Sequence, residues 1–201
     1  MSYNSVTVSL ILLAANSISF ASPITLTYAA TATGTLGATP FTNVAVTITA
    51  LGDTADRQSF SGGFSLDHTS ASILITGLGS FGFTSGTRTF VNNSTLSAGF
   101  SRAGAGADLL DFGGPFAAWD MLSSIGPIST TGAFLQWTIP PPVTTNGGTL
   151  VINDAATPVV FQAVVVPEPG TWVFVPASLV GFGLAACCRR RQNRATAALV
   201  G

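Results

Sequence analysis

Short stretches of strict alternation between apolar and polar or small residues run through most of the chain. Ile24, Leu26 and Tyr28 alternate with Thr25 and Thr27, and Val44, Val46 and Ile48 alternate with Ala45, Thr47 and Thr49. Ile73 and Ile75 alternate with Ser72, Leu74 and Thr76, and Leu96, Ala98 and Phe100 alternate with Ser97 and Gly99. Further strand-like runs cover residues 134–139, 149–153 and 159–166. A period of two marks a strand with one buried face. Threonine suits the wet face, because its β-branch fits the pleat while its hydroxyl stays solvated.

Turn residues punctuate these runs. They include Thr39-Pro40, Gly52-Asp53, Gly62-Gly63, Asn92-Asn93, Gly113-Gly114-Pro115, Pro140-Pro141-Pro142 and Asn146-Gly147-Gly148. Many short strands with such spacing predict an all-β domain over residues 22–165, an antiparallel β-sandwich of jelly-roll type. Residues 103–111 and 115–124 fit the pattern least. The second either starts a helical turn at Pro115, a residue suited to a first helical position, or forms a loop that places Trp119 in the core.

The two ends differ from this middle. An apolar stretch from Val6 to Ala15 precedes Ser19-Phe20-Ala21, with small residues at the positions a signal peptidase reads. Residues 1–21 therefore read as a signal peptide cleaved between Ala21 and Ser22, although residues 1–5 contain no Lys or Arg. At the other end, Val166-Pro167-Glu168-Pro169-Gly170 leads into Thr171–Cys188, which has no charged residue in 18 positions. As a helix this run is about 27 Å long, against a hydrocarbon core of about 30 Å. Arg189, Arg190, Arg191 and Arg194 follow and act as a stop-transfer cluster. Residues 195–201 complete a short cytoplasmic tail, and the β domain lies on the periplasmic side.

This order of Pro167-Glu168-Pro169, apolar helix and arginine cluster over residues 166–194 resembles the PEP-CTERM sorting signal of Gram-negative bacteria. Glu168 is the single glutamate of the chain. The resemblance implies an exosortase as processing partner, after export through the Sec translocon and cleavage by signal peptidase. It implies an inner-membrane precursor delivered to the cell surface, the extracellular matrix of a biofilm or its exopolysaccharide. The stretch Thr33-Gly34-Thr35-Leu36-Gly37, with Phe41, Thr47-Ile48-Thr49-Ala50, Trp119-Asp120 and Thr145-Asn146-Gly147-Gly148, looks like the sandwich domains such proteins often carry. That likeness implies no particular activity.

Composition narrows the function classes. Charged residues are 7% of the chain, against about 25% in ordinary soluble domains. Lysine is absent, and residues 22–166 hold three Arg (57, 88, 102) against seven Asp (53, 56, 67, 108, 111, 120, 154), a net of −4. Such a surface cannot neutralise a run of phosphates, so nucleic-acid binding is not expected. Both cysteines, Cys187 and Cys188, lie at the end of the apolar run, so no disulfide supports the exported domain.

Catalytic chemistry has few candidates. Asp67, His68 and Ser70 contain the elements of a hydrolytic triad, but neighbouring strand residues point to opposite faces. No Gly-x-Ser-x-Gly turn accompanies them. One histidine without exported cysteines makes no zinc site, and Asp53/Asp56 and Asp108/Asp111 read as turn and capping residues before calcium ligands. The expectation is a non-enzymatic protein with no catalytic residue, metal or cofactor. Trp119 and Trp137 are the candidate glycan contacts, stacking on sugar rings if exposed, as the alternative of a polysaccharide-binding module requires. A plain single-pass inner-membrane protein with a periplasmic β domain is the other alternative.

Overall fold

The computed structural model describes residues 21–104, 107–137, 141–152, 154 and 156–166. Eleven strands form one antiparallel sheet: β1 (Pro23–Leu36), β2 (Thr39–Phe60), β3 (Gly63–Ile75), β4 (Gly79–Gly82), β5 (Thr87–Asn92), β6 (Ser97–Arg102), β7 (Asp108–Gly113), β8 (Ile125–Phe134), β9 (Thr144–Thr145), β10 (Gly148–Ile152) and β11 (Thr157–Val165). No helix occurs among the described residues.

The sheet closes on itself. In the order β1-β2-β3-β5-β6-β7-β8-β11 each strand pairs with the next, and β11 returns to β1 with Ile24 opposite Val165 and Ala30 opposite Val159. Eight strands therefore make an up-and-down barrel in chain order. β4 is an appendage on β3, and the β9–β10 hairpin adds to the far end of β1, where Leu36 pairs with Leu150. The all-β, antiparallel expectation holds, but the expected sandwich does not. Local alternation is the same for an inward face of a barrel and an inner face of a sandwich. The β1–β11 pairing decides between them.

An eight-stranded barrel has an interior just wide enough to be filled by side chains. Here the filling is aromatic. Tyr28, Phe112 and Phe161 pack mutually with ring centroids 5.1–5.9 Å apart, and Phe100 meets Tyr28 edge-on at 5.8 Å. Leu26, Ile48, Leu66, Ile73 and Leu110 are fully buried around them. At one end the loop between β7 and β8 folds inward, and Phe116 and Trp119 pack on Phe161 at 5.9 and 5.6 Å. Residues 115–124 thus form the core-filling loop, not a helical turn.

Two further expectations change. The run 134–139 is not a strand throughout: β8 ends at Phe134, and Gln136 has a φ of 57°, outside the extended region. The end of the weak stretch 103–111 belongs to a full strand, β7, which runs from Asp108 to Gly113.

The barrel's first and last residues leave from one end. Val166 N donates to Pro23 O at 2.9 Å, and Val165 N donates to Ser124 Oγ at 2.9 Å. Ser22 is held there by a reciprocal pair, its N donating to Thr54 Oγ1 and its O accepting from Thr54 N, both at 3.0 Å. Thr54 lies in a bulge of β2 between Gly52 and Arg57, steadied by Asp53 Oδ1 accepting from Ala55 N at 2.8 Å.

Candidate functional site

Alternation on β3 sends His68 inward and leaves Asp67 and Ser70 exposed outside. The ring of His68 stacks on Phe100 at 5.4 Å. Nδ1 lies 2.9 Å from Thr87 Oγ1 and Nε2 2.8 Å from Thr89 Oγ1. Thr89 Oγ1 also bonds to the Tyr28 hydroxyl. One arrangement satisfies every member: Tyr28 donates to Thr89, Thr89 donates to Nε2, and Nδ1–H donates to Thr87.

Burial acts on this chain as expected. It pushes the His68 pKa down to about 3, so the ring is neutral, and holds the Tyr28 hydroxyl above its usual range. With both nitrogens engaged by threonines, His68 activates neither Ser70 nor any water outside. The chain is a satisfied polar element of the core.

The two candidate tryptophans are also inside. Trp119 is 5% and Trp137 1% exposed. The Trp119 indole N–H donates to Ser123 O at 2.8 Å, and the Arg102 guanidinium lies 4.9 Å from the centre of the Trp137 ring. Neither offers a free face to a sugar, so the expected glycan contacts at Trp119 and Trp137 are corrected. A loop that must close one end of the barrel needs a large apolar plug, and Trp119 supplies it.

The outer wall over β3, β5, β6 and β7 carries a different constellation. One row across these strands reads Ser65, Phe90, Gly99 and Asp111; the next reads Asp67, Arg88, Ser101 and Asp108. At Gly99 a Cβ would lie 2.4 Å from Asp111 Oδ1 and 2.7 Å from Phe90 Cε1, so the missing side chain lets the two neighbours close over the strand. That cover desolvates Asp111. Its pKa is pushed up to about 7 by burial first and by the Asp108 carboxylate second. Its Oδ1 is buried without a hydrogen-bond partner among the described residues. Asp108 Oδ1 accepts from Ser101 Oγ at 2.5 Å.

Beside these rows a cleft of about 400 Å³ opens between the β2–β3 hairpin and β5, lined by Gln58, Phe60, Arg88, Phe90, Asn92 and Asp108 among others. No group of three His, Cys, Asp or Glu side chains converges among the described residues. Nothing in the sequence marks this cleft as a motif, since its residues come from three separate stretches.

Residues 1–20 and 167–201 lie outside the described residues, and with them the signal-peptide body, Pro167, Glu168, Pro169, the apolar run, Arg189, Arg190, Arg191 and Arg194. Among the described residues no helix is long and apolar enough to cross a membrane. Ala21 and Ser22, the expected cleavage pair, directly precede β1.

The fold defines a closed, aromatic-filled antiparallel barrel with a polar cleft on its outer wall. Comparison with protein-family models, curated proteins and solved structures gave no match.

Proposed function

We propose that this chain is an exported, non-catalytic protein of a Gram-negative envelope, sorted through its C-terminal segment by an exosortase and destined for the cell surface or its exopolysaccharide. One observation carries the reading: Pro167-Glu168-Pro169, an uncharged apolar run and an arginine cluster follow one another in that order, after a domain preceded by an export signal. Prolines at 167 and 169 remove two backbone donors and favour extended backbone, which keeps Glu168 out of sheet pairing and available to a processing enzyme. The barrel is compatible with this. β11 ends at Val165, two residues before Pro167, so the domain is complete where the motif begins. In this reading the Sec translocon exports the chain, signal peptidase cuts after Ala21, and the apolar run holds the precursor in the inner membrane until processing.

Intact-mass measurement of the protein from otherwise identical strains with and without an exosortase tests the proposal. The expected product with the enzyme has lost residues 1–21 and the segment beyond the Pro-Glu-Pro region, and it leaves the inner membrane. The same mass and the same inner-membrane location in both strains would overturn it and leave a plain single-pass protein.

A further inference from the structure

The three arginines of the barrel are treated differently. Arg57 lies 4.5 Å from the centre of the Phe64 ring, donates to Asp120 O at 3.1 Å and stands 3.7 Å from the Asp120 carboxylate. Arg102 covers Trp137 and donates to Pro141 O. Arg88 has no ion pair or hydrogen bond among the described residues, and its Nε is shielded from water without an acceptor. Asp67 stands directly opposite it on β3, yet no ion pair forms between them. In a chain with so few charges, a guanidinium with a desolvated, unsatisfied N–H is a costly feature.

Arg88 lines the cleft between the hairpin and β5, together with two phenyl rings. Phe60 at the hairpin is 41% exposed, and Phe90 is half-buried. Gln58, Asn92 and Asp108 supply amide and carboxylate groups around them. Asp108 Oδ1 is bound by Ser101, and Oδ2 has no hydrogen bond among the described residues. The cleft thus offers apolar faces, one planar cation and several neutral or acidic groups able to meet hydroxyls. Its volume lies within the range of small-ligand pockets.

From this arrangement we infer that the cleft binds an acidic saccharide, a hexuronate residue of a polysaccharide. The carboxylate of the sugar takes the outer nitrogens of the Arg88 guanidinium, whose planar fork matches it in geometry. The C–H face of the pyranose lies on Phe60 or Phe90, and Gln58, Asn92 and Asp108 Oδ2 bond its hydroxyls. Neutral sugars offer Arg88 hydroxyl acceptors but not the paired anionic oxygens that its fork matches. This inference takes its ligand class from the reading of an exopolysaccharide-associated protein, on which it rests, and its site from the geometry of the cleft. Binding and exosortase processing are separate readouts, so either can fail without the other.

The test is calorimetric titration of the full-length protein, in detergent, with a galacturonate oligosaccharide and with a neutral glucan oligosaccharide of the same length. The expected result is binding of the galacturonate that weakens with added salt, with little or none of the glucan. Arg88→Gln should weaken it by about tenfold or more, the loss typical of a charge-assisted hydrogen bond. Phe90→Leu should weaken it less, and Trp119→Phe, which changes only the core, should leave it unchanged. Equal binding of both oligosaccharides, unaltered binding by Arg88→Gln, or no binding at millimolar concentration would each overturn the assignment. Thermal melting of every variant separates a lost contact from a lost fold, and Arg88→Lys provides a second substitution that keeps the charge while removing the fork.

Discussion

Both ring nitrogens of His68 are used inside the barrel, and that has a measurable cost in acid. The unfolded chain binds a proton at His68 below a pH of about 6.5, while the folded ring stays neutral down to about 3. Stability from this group is complete above the unfolded value and falls by about 1.4 kcal/mol per pH unit as pH drops through that window. Asp111 acts in the opposite sense. Its folded pKa of about 7 lies above the unfolded 3.8, so its contribution is present at low pH and is lost as pH rises through 7. Its carboxyl is partly exposed, so solvent screening weakens that slope. The two effects oppose each other between pH 7 and pH 5, so over that interval the urea midpoint of His68→Asn should rise relative to that of the native protein. Identical pH profiles would show that His68 is not held neutral. Gly99 is the other single position with a sharp expectation. A methyl there meets Asp111 and Phe90 well inside contact distance and also lies 2.4 Å from Leu110 O. Gly99→Ala should cost about 1–3 kcal/mol in chemical denaturation, the range for overpacking.

Among the elements, the β7–β8 loop shows how a segment without regular structure is fixed. The Asn93 side chain, from the β5–β6 turn, donates through Nδ2 to both Phe116 O and Trp119 O, the latter at 3.0 Å. Asn93→Ala removes both bonds and leaves two shielded carbonyls, so a loss of about 1–3 kcal/mol is expected, with increased acrylamide quenching of tryptophan fluorescence as Trp119 loosens. A fold-neutral variant with unchanged quenching would show that packing alone holds the loop. Sequence pattern found β1, β2, β3 and β11, because threonine and branched apolar residues alternate cleanly in them. It missed β7, where Leu109 and Leu110 are adjacent and both buried, and β8, where Gly126, Pro127 and Gly132 interrupt the period. The Pro115–Ser124 loop was legible only as one of two options, since Trp119 fits either. The cleft was not legible at all. Arg88 is an ordinary strand residue until its neighbours are known, and its lack of a partner is a property of three dimensions.

At the scale of the molecule, closure is the dominant fact. Val166 and Pro23 are hydrogen-bonded neighbours, so a short linker can join the ends without distorting either strand. A circular permutant that links Val166 to Ser22 and opens the β1–β2 turn at Gly37-Ala38 should give the same far-UV spectrum and a cooperative melt. Loss of cooperative melting in that permutant would mean that the original chain ends are needed for more than pairing. Gly37 has a φ of 56° and forms an exposed turn, which makes it a tolerant place to cut.

Closure also sets a clock. Along Ile24–Ala30 the first strand finds its second partner only when the last strand is made, and nearly the whole domain separates the two. Until then that part of β1 keeps an unpaired edge, and the aromatic filling has no wall on the β11 side. Pro167 follows that last strand by two residues. For a chain delivered amino end first, the moment at which the barrel can shut is therefore almost the moment at which Pro167-Glu168-Pro169 follows it out. Completion of the domain and delivery of the segment that follows it become a single event.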